Sequence, residues 1–286
     1  MKTYKYLIST AISDLESFFK VDVGFKVPHK FETGNFIAKV QRENVVFSEE
    51  LGNQPLQSIV DVIFCLIIVG HEFAHLLNMH NSHKDKSSSE TSAIEAWADF
   101  FGARVTFTLL TYGNGVQEIV DSLIAVPFAR PPTAGERQNL LLSSFGRGLL
   151  KAYQTLYQSS DGSKNYPHSS IRVLNVAAGI SSFFFRYFNK LLENWTLYVF
   201  KKILINNKLA ELAYNPQAEV DLEERVELIQ KIHMDIKAEK VFISAGMKEE
   251  YVNLIGTHYS DNKEIQRKNM DFFKSEFKKW EFEVKI

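Results

Sequence analysis

The segment His71-Glu72-Phe73-Ala74-His75 holds two imidazoles four residues apart, with a carboxylate directly after the first. Four residues is close to one helical turn, so on a helix both rings share a face and can converge on one metal ion. Glu72 lies on the turn between them, within reach of a water on that ion. This pattern on a helix is the arrangement of a hydrolytic zinc centre, two ligands and a general base. The competing reading is a pair of core histidines beside a buried glutamate. A buried carboxylate is costly unless it is paired, so that reading needs further partners.

A catalytic zinc ion usually has three protein ligands and one open position. The next acidic group is Glu95-Ala96-Trp97-Ala98-Asp99, again with two chemically active side chains four apart. Ile94, Trp97, Ala98, Phe101 and Val105 form an apolar stripe at helical period around them. Acids beside such a stripe need something positive to face. Glu95 is assigned as the third ligand. Asp99 is assigned to the free ring N–H of a ligand histidine, where it fixes the tautomer and raises the basicity. The alternative is a solvated acidic face, or pairing with Arg104. Glu90 is a rival ligand, placed in a loop after Ser87-Ser88-Ser89. His80 and His83 are set aside as ligands. His80 stands more than a turn beyond His75, near a helix C-terminus, where histidine is favourable by itself.

The elements that must carry these residues follow from the flanks. Ser58 to Leu77 contains Ile59, Val60, Val62, Ile63, Phe64, Leu66, Ile67, Ile68 and Val69, with one early charge, Asp61. It is expected to be a buried helix, too short and too close to polar residues to span a bilayer. Gly70 removes a side chain where another backbone or a substrate approaches. The polar stretch Asn81 to Ser92 is expected to be a mobile loop joining the two helices.

In their order these motifs resemble those of gluzincin metallopeptidases. They are M48-like and closest to the phage-exclusion Lit-type (U49) peptidases, which share HExxH, then ExxAD, then HPxxxxR. Here the matching residues are His71-Glu72 and His75, then Glu95 with Ala98-Asp99, then Pro167 and Arg172 in Tyr166-Pro167-His168-Ser169-Ser170-Ile171-Arg172. The resemblance covers roughly residues 55 to 175 and rests on motifs. It implies a zincin-like core and one Zn2+ per chain. It also implies a phage-defence or toxin-like role against a cellular protein, a translation factor by analogy. The chain departs from the family at one point. Tyr166 precedes the proline where the family has histidine, and His168 follows it. Either Tyr166 or His168 must then donate to the oxyanion, and a phenol O–H can do so. The plain alternative is that Tyr166-Pro167 is a loop end. Arg172 is expected to pair with the acids and hold them in place.

The chemistry expected is metal-assisted peptide hydrolysis. Zinc on His71, His75 and Glu95 activates water, Glu72 moves the proton, and Tyr166 or His168 steadies the oxyanion. An extended substrate adds main-chain hydrogen bonds along an edge strand. Asn35 to Val40 and Asn44 to Phe47 are the candidate strands, joined by Gln41-Arg42-Glu43.

Composition bounds the rest. The 286 residues are 45% hydrophobic and 23% charged, enough for a sizeable core. With 33 basic and 34 acidic residues the net charge is -1, so charge gives nucleic-acid binding no support. The single cysteine, Cys65, sits in the apolar helix and cannot form an internal disulfide. A reducing, cytoplasmic setting is the default. Residues Thr3 to Lys20 read as an amphipathic helix rather than a signal peptide. No membrane span is expected.

The predicted class is α+β, mainly α-helical. A small N-terminal β section precedes a zincin-like metallopeptidase core over residues 1–175. A helical C-terminal region, 176–286, packs on it or continues the same domain. Gly113-Asn114-Gly115 breaks the second metal helix, and Val126 to Gly135 is an irregular proline-rich loop. Arg137 to Ser159 is helical, and 160–165 form a turn that delivers Tyr166 and His168. Glu219 to Lys240 is an amphipathic helix. Phe272, Phe273, Phe277 and Trp280 make a terminal stripe that docks on the core or binds a partner. His29, His233 and His258 receive no role. The oligomeric state is left open. Two further functions stay in view: a regulatory peptidase that cleaves a repressor, as ImmA-like proteins do, and a non-catalytic zinc-stabilised binding protein. An intact Glu72 argues against the second, since a structural site has no use for a general base.

Overall fold

The computed structural model describes residues 2–83, 87–124, 133–161, 163–188, 193–214, 222–240 and 243–257. The proline-rich loop after Val126, His258 and the Phe272–Trp280 stripe lie outside the described residues, apart from Thr133, Ala134 and Gly135 at the loop's end.

The class is mainly helical with one small sheet. Helix α1 spans Tyr4–Ser17. Three strands follow: β1 His29–Glu32, β2 Ala38–Gln41 and β3 Asn44–Ser48. The sheet order is β1-β3-β2. β1 runs parallel to β3 with His29 opposite Val45, and β2 runs antiparallel with Ala38 opposite Phe47. β3 is central because Val45, Val46 and Phe47 are all buried. Both candidate strands are present, the first shorter than expected. β1 was not foreseen: its mixed, half-exposed residues carry no alternating apolar signal. A short helix α2, Glu49–Gly52, is capped by the Ser48 hydroxyl and precedes the long apolar helix.

Helix α3 spans Ile59–Leu77, and the Ser58 side chain accepts from the Asp61 N–H at its start. By length and composition α3 could cross a membrane, yet 78% of its apolar window is buried within the fold. Helix α4, Ser88–Tyr112, begins at a capping box made by Ser87 and Glu90. It therefore starts four residues earlier than Ser92, inside the stretch expected to be a loop. Glycine-bounded residues break the chain as expected, and α5 is Asn114–Ile124. Helix α6, Ala134–Ala152, runs into a π-turn over Tyr153–Tyr157. Helices α7, Ser169–Phe188, α8, Glu193–Ile203, α9, Leu222–Glu239, and α10, Glu249–Ile255, complete the described chain.

The main buried cluster draws on both sides of residue 175, from Leu7 and Ile8 through Val62 and Leu109 to Val173, Ile180 and Ile255. Burying this apolar surface is the main drive for the fold. A second cluster joins α9 to α4: Ile229, Ile232 and Ile236 pack on Ala93 and Ile94.

Two glycines set the spacing of α3 and α4. A Cβ at Gly70 would lie 2.4 Å from the Gly102 carbonyl oxygen and from Thr106 Oγ1. A Cβ at Gly102 would lie 2.7 Å from the His71 nitrogen. The α3 and α4 backbones thus touch at Gly70 and Gly102, and Thr106 Oγ1 donates to the Leu66 carbonyl at 2.8 Å beside them. Of the two visitors foreseen at Gly70, the one found is a backbone.

Candidate metal centre

The crossing brings His71 and His75, at the C-terminal end of α3, against Glu95 and Asp99 of α4. Two imidazole nitrogens and a Glu95 carboxylate oxygen lie within 4.8 Å of one another, a group that can hold a metal ion. His75 Nε2 is 3.1 Å from His71 Nε2, and Glu95 Oε2 is 3.1 Å from the same His71 atom. Glu95 Oε1 is 3.6 Å from His75 Nε2. The donor set of two imidazoles and one carboxylate fits zinc, with room in its coordination for a further ligand.

The outward nitrogens have partners. His71 Nδ1 lies 2.9 Å from Asp99 Oδ1. Arg172 holds the same carboxylate with a fork, Nε to Oδ2 at 2.7 Å and Nη2 to Oδ1 at 3.0 Å. Both members are buried. The guanidinium stacks 4.2 Å from the ring centre of buried Tyr157, which the π-turn after α6 delivers. The expected pairing of Arg172 with the acids is therefore present. Arg104, the alternative partner, donates instead to the carbonyls of Leu254 and Gly256.

Electrostatics follow from this packing. Burial alone would lower the His71 pKa, but the Asp99 and Glu95 hydrogen bonds and charges outweigh it and raise it to about 10. The pocket thus demands a positive charge between its acids, which a proton or a metal cation can supply. Burial favours a neutral Glu95, yet attraction to the adjacent His75 imidazole and the His71 hydrogen bond keep its carboxyl well below 4.5. Asp99 is lowered too, against its burial, mainly by the Arg172 charge. Glu72 is buried and shifted upward by that burial, with His71 and His75 pulling partly against it. A carboxylate of raised proton affinity beside two imidazoles suits a general base.

The remaining candidates divide. Tyr166 is 41% exposed, and its ring centre stands 5.3 Å from the Arg172 guanidinium carbon. The Glu95 charge is the largest influence raising its phenol pKa, followed by burial. His168, just before α7, is turned to the start of that helix and the turn before it: its Nδ1 lies 2.8 Å from Ser170 Oγ and its Nε2 3.8 Å from Asp161 Oδ2. Glu90 is not in the cluster. Its carboxylate accepts from the Ser87 N–H at 2.9 Å and faces His83 Nε2 at 3.4 Å, so it belongs to the first turn of α4 rather than a loop. At the β2 edge, the Asn81 amide donates to the carbonyls of Val40 at 3.1 Å and Arg42 at 3.0 Å. That end of the expected substrate edge is already occupied.

Two residues set aside earlier stand next to the centre. His80 does not continue α3. Met79 adopts φ 55°, a left-handed conformation that ends the helix and folds the chain back. His80 Nδ1 then reaches His75 Nδ1 at 3.0 Å. His233 arrives from α9, with Nε2 at 2.9 Å from His80 Nε2. A signal for His233 existed: it shares the helical face of Ile229 and Ile236, so the packing face of α9 carries an imidazole. Tyr157 had no comparable signal. Compared with known proteins, the chain matches no protein-family profile, no curated protein and no solved structure.

Proposed function

We propose that this chain is a zinc-dependent endopeptidase with a zincin-like core, hydrolysing a peptide bond in a specific cytosolic protein. The observation that carries this reading is the convergence of His71, His75 and Glu95 within 4.8 Å, beside the buried carboxylate of Glu72. A purely structural metal site would not need Glu72, whose burial is costly.

Zinc held by His71, His75 and Glu95 would supply Lewis-acid activation of water and polarisation of the scissile carbonyl. Asp99 keeps the His71 proton on Nδ1, so that Nε2 faces inward. Arg172 keeps Asp99 ionised and fixed. Glu72 takes a proton from the attacking water and returns it to the leaving amine. Tyr166 is favoured over His168 as the donor to the developing oxyanion, because its ring stands over Arg172 while His168 is engaged with Ser170 and faces Asp161. The resemblance to the Lit-type peptidases supports a phage-defence or toxin-like setting and a translation factor as the substrate class to try first. It is analogy, since motifs do not fix substrates.

The test compares new protein N-termini in cells expressing the wild type and Glu72→Gln. Termini seen only with the wild type would identify a protease and its substrate, and purified Glu72→Gln should still bind one zinc ion. Equal cleavage by both would overturn the general-base assignment. Zinc binding with no wild-type cleavage in any host would favour the zinc-stabilised binding protein.

A further inference from the structure

His75 faces the metal cluster with Nε2 and turns Nδ1 the other way, toward His80 at 3.0 Å. His80 passes the contact on through Nε2 to His233 Nε2 at 2.9 Å. The His80 and His233 rings lie nearly parallel, 2° apart, with centres separated by 5.1 Å. Both residues are 0% exposed. The edge of Trp97 closes on His233, with ring centres 5.3 Å apart at 74°. Trp97 stands between Glu95 and Asp99 in sequence, so α9 reaches the back of the metal centre from two directions.

A neutral imidazole has one donor and one acceptor nitrogen. Three neutral rings in series therefore have two proton arrangements. In the inward one, His233 Nε2–H donates to His80, His80 Nδ1–H donates to His75, and the His75 proton is left on Nε2. That arrangement blocks the nitrogen that faces His71 and Glu95. In the outward one, His75 Nδ1–H donates to His80, His80 Nε2–H donates to His233, and His75 Nε2 is bare. Burial pushes the His233 pKa down to about 3, so this ring stays neutral and can accept.

We propose that His80 and His233 are positioning residues that lock His75 into the tautomer able to bind a metal ion. The inference rests on the zinc-centre reading. It adds that the two ligand histidines are held by different means. His71 is anchored by an ionised aspartate, while His75 is anchored by a neutral pair of rings, one of them delivered by a helix far along the chain. Second partners of metal-bound histidines commonly set affinity and ring orientation.

Nitrogen-15 NMR of histidine-labelled, zinc-loaded protein should find the His80 proton on Nε2 and the His233 proton on Nδ1. Zinc affinity by chelator competition should fall about 10- to 100-fold in His233→Leu. It should recover to within a few-fold of wild type in His233→Gln, whose amide oxygen can accept from His80. Ile236→Val, on the same packing face of α9 without a relay atom, should leave affinity unchanged. The inference is overturned if His233→Leu binds zinc as tightly as the wild type, or if Ile236→Val weakens it equally. A His80 proton found on Nδ1 overturns it as well. Should His233→Leu fail to fold, the wild-type tautomers decide alone. Wild-type protein that binds no zinc would instead end the zinc-centre reading itself, and this inference with it.

Discussion

One carboxylate, Asp99, serves two partners: it accepts from His71 and from the Arg172 fork, at 2.7 to 3.0 Å. Both Asp99 and Arg172 are buried, so removing the arginine leaves an uncompensated charge rather than merely one contact fewer. Arg172→Met should lower stability by about 3–5 kcal/mol, read as a drop in the urea midpoint. Adding Asp99→Leu to that variant should restore part of the loss while weakening zinc binding further. An unchanged urea midpoint in Arg172→Met would mean that Asp99 has another counter-ion. At this scale the meeting of His71, His75 and Glu95 was readable in advance because four-residue spacing on a helix is a local constraint. Arg172 was found through motif resemblance. His80, His233 and Tyr157 were not found as partners of the site, because a left-handed Met79, a distant helix and a π-turn bring them there. None of those three devices leaves a mark at the spacing of the motif.

Helices α3 and α4 place the candidate ligands, and their contact at Gly70 and Gly102 sets the distance between His71 and Glu95. A methyl group at Gly102 would press on the Gly70 carbonyl at 2.8 Å and on the His71 nitrogen at 2.7 Å, both backbone atoms that cannot turn aside. Gly102→Ala gains helix propensity, up to about 1 kcal/mol, but must push the backbones apart, which costs about 1–3 kcal/mol. The net effect on stability should be small to moderate and destabilising. Zinc affinity should suffer more, because Glu95 and Asp99 travel with α4. Gly135→Ala, where an added Cβ meets nothing within 4 Å, should do neither and serves as the control. Equal zinc affinity in Gly102→Ala and wild type would show that the crossing distance does not govern the site. The helices themselves were legible to within a few residues, since each has an apolar period and polar flanks. The start of α4 was misjudged because the Ser87–Glu90 capping box lies inside a polar run that also resembles a loop. β1 was missed because its parallel pairing with β3 is a non-local contact between short segments.

Across the whole molecule, three helices meet at Asp61, a residue whose sequence context showed only a lone charge early in an apolar run. Lys151 of α6 donates to its Oδ1 at 3.0 Å, and the Ser58 hydroxyl to its Oδ2 at 2.8 Å. Tyr4 of α1 reaches the same Oδ1 at 3.4 Å, and the Lys151 ammonium lies 4.7 Å from the ring centre of Phe64 on α3. Burial works to raise the Asp61 pKa, but the Lys151 and Ser58 hydrogen bonds and the Lys151 charge outweigh it and hold it below 3.8. A depressed folded-state pKa binds fewer protons than the unfolded chain does. Its stabilisation is therefore present above the unfolded value, near 3.8, and lost as pH falls through the lower folded value. Asp61→Asn keeps the size of the side chain and removes the charge. The variant should be less stable than wild type by about 1–2 kcal/mol at neutral pH, the range of a charge-assisted hydrogen bond discounted for partial exposure. The two urea midpoints should then converge as pH drops below 3.8. A gap that stayed constant with pH would assign the effect to packing rather than to the ionised carboxylate. The joint would then hold α1, α3 and α6 by shape alone, as their shared apolar cluster of Leu7, Ile63 and Leu149 already does.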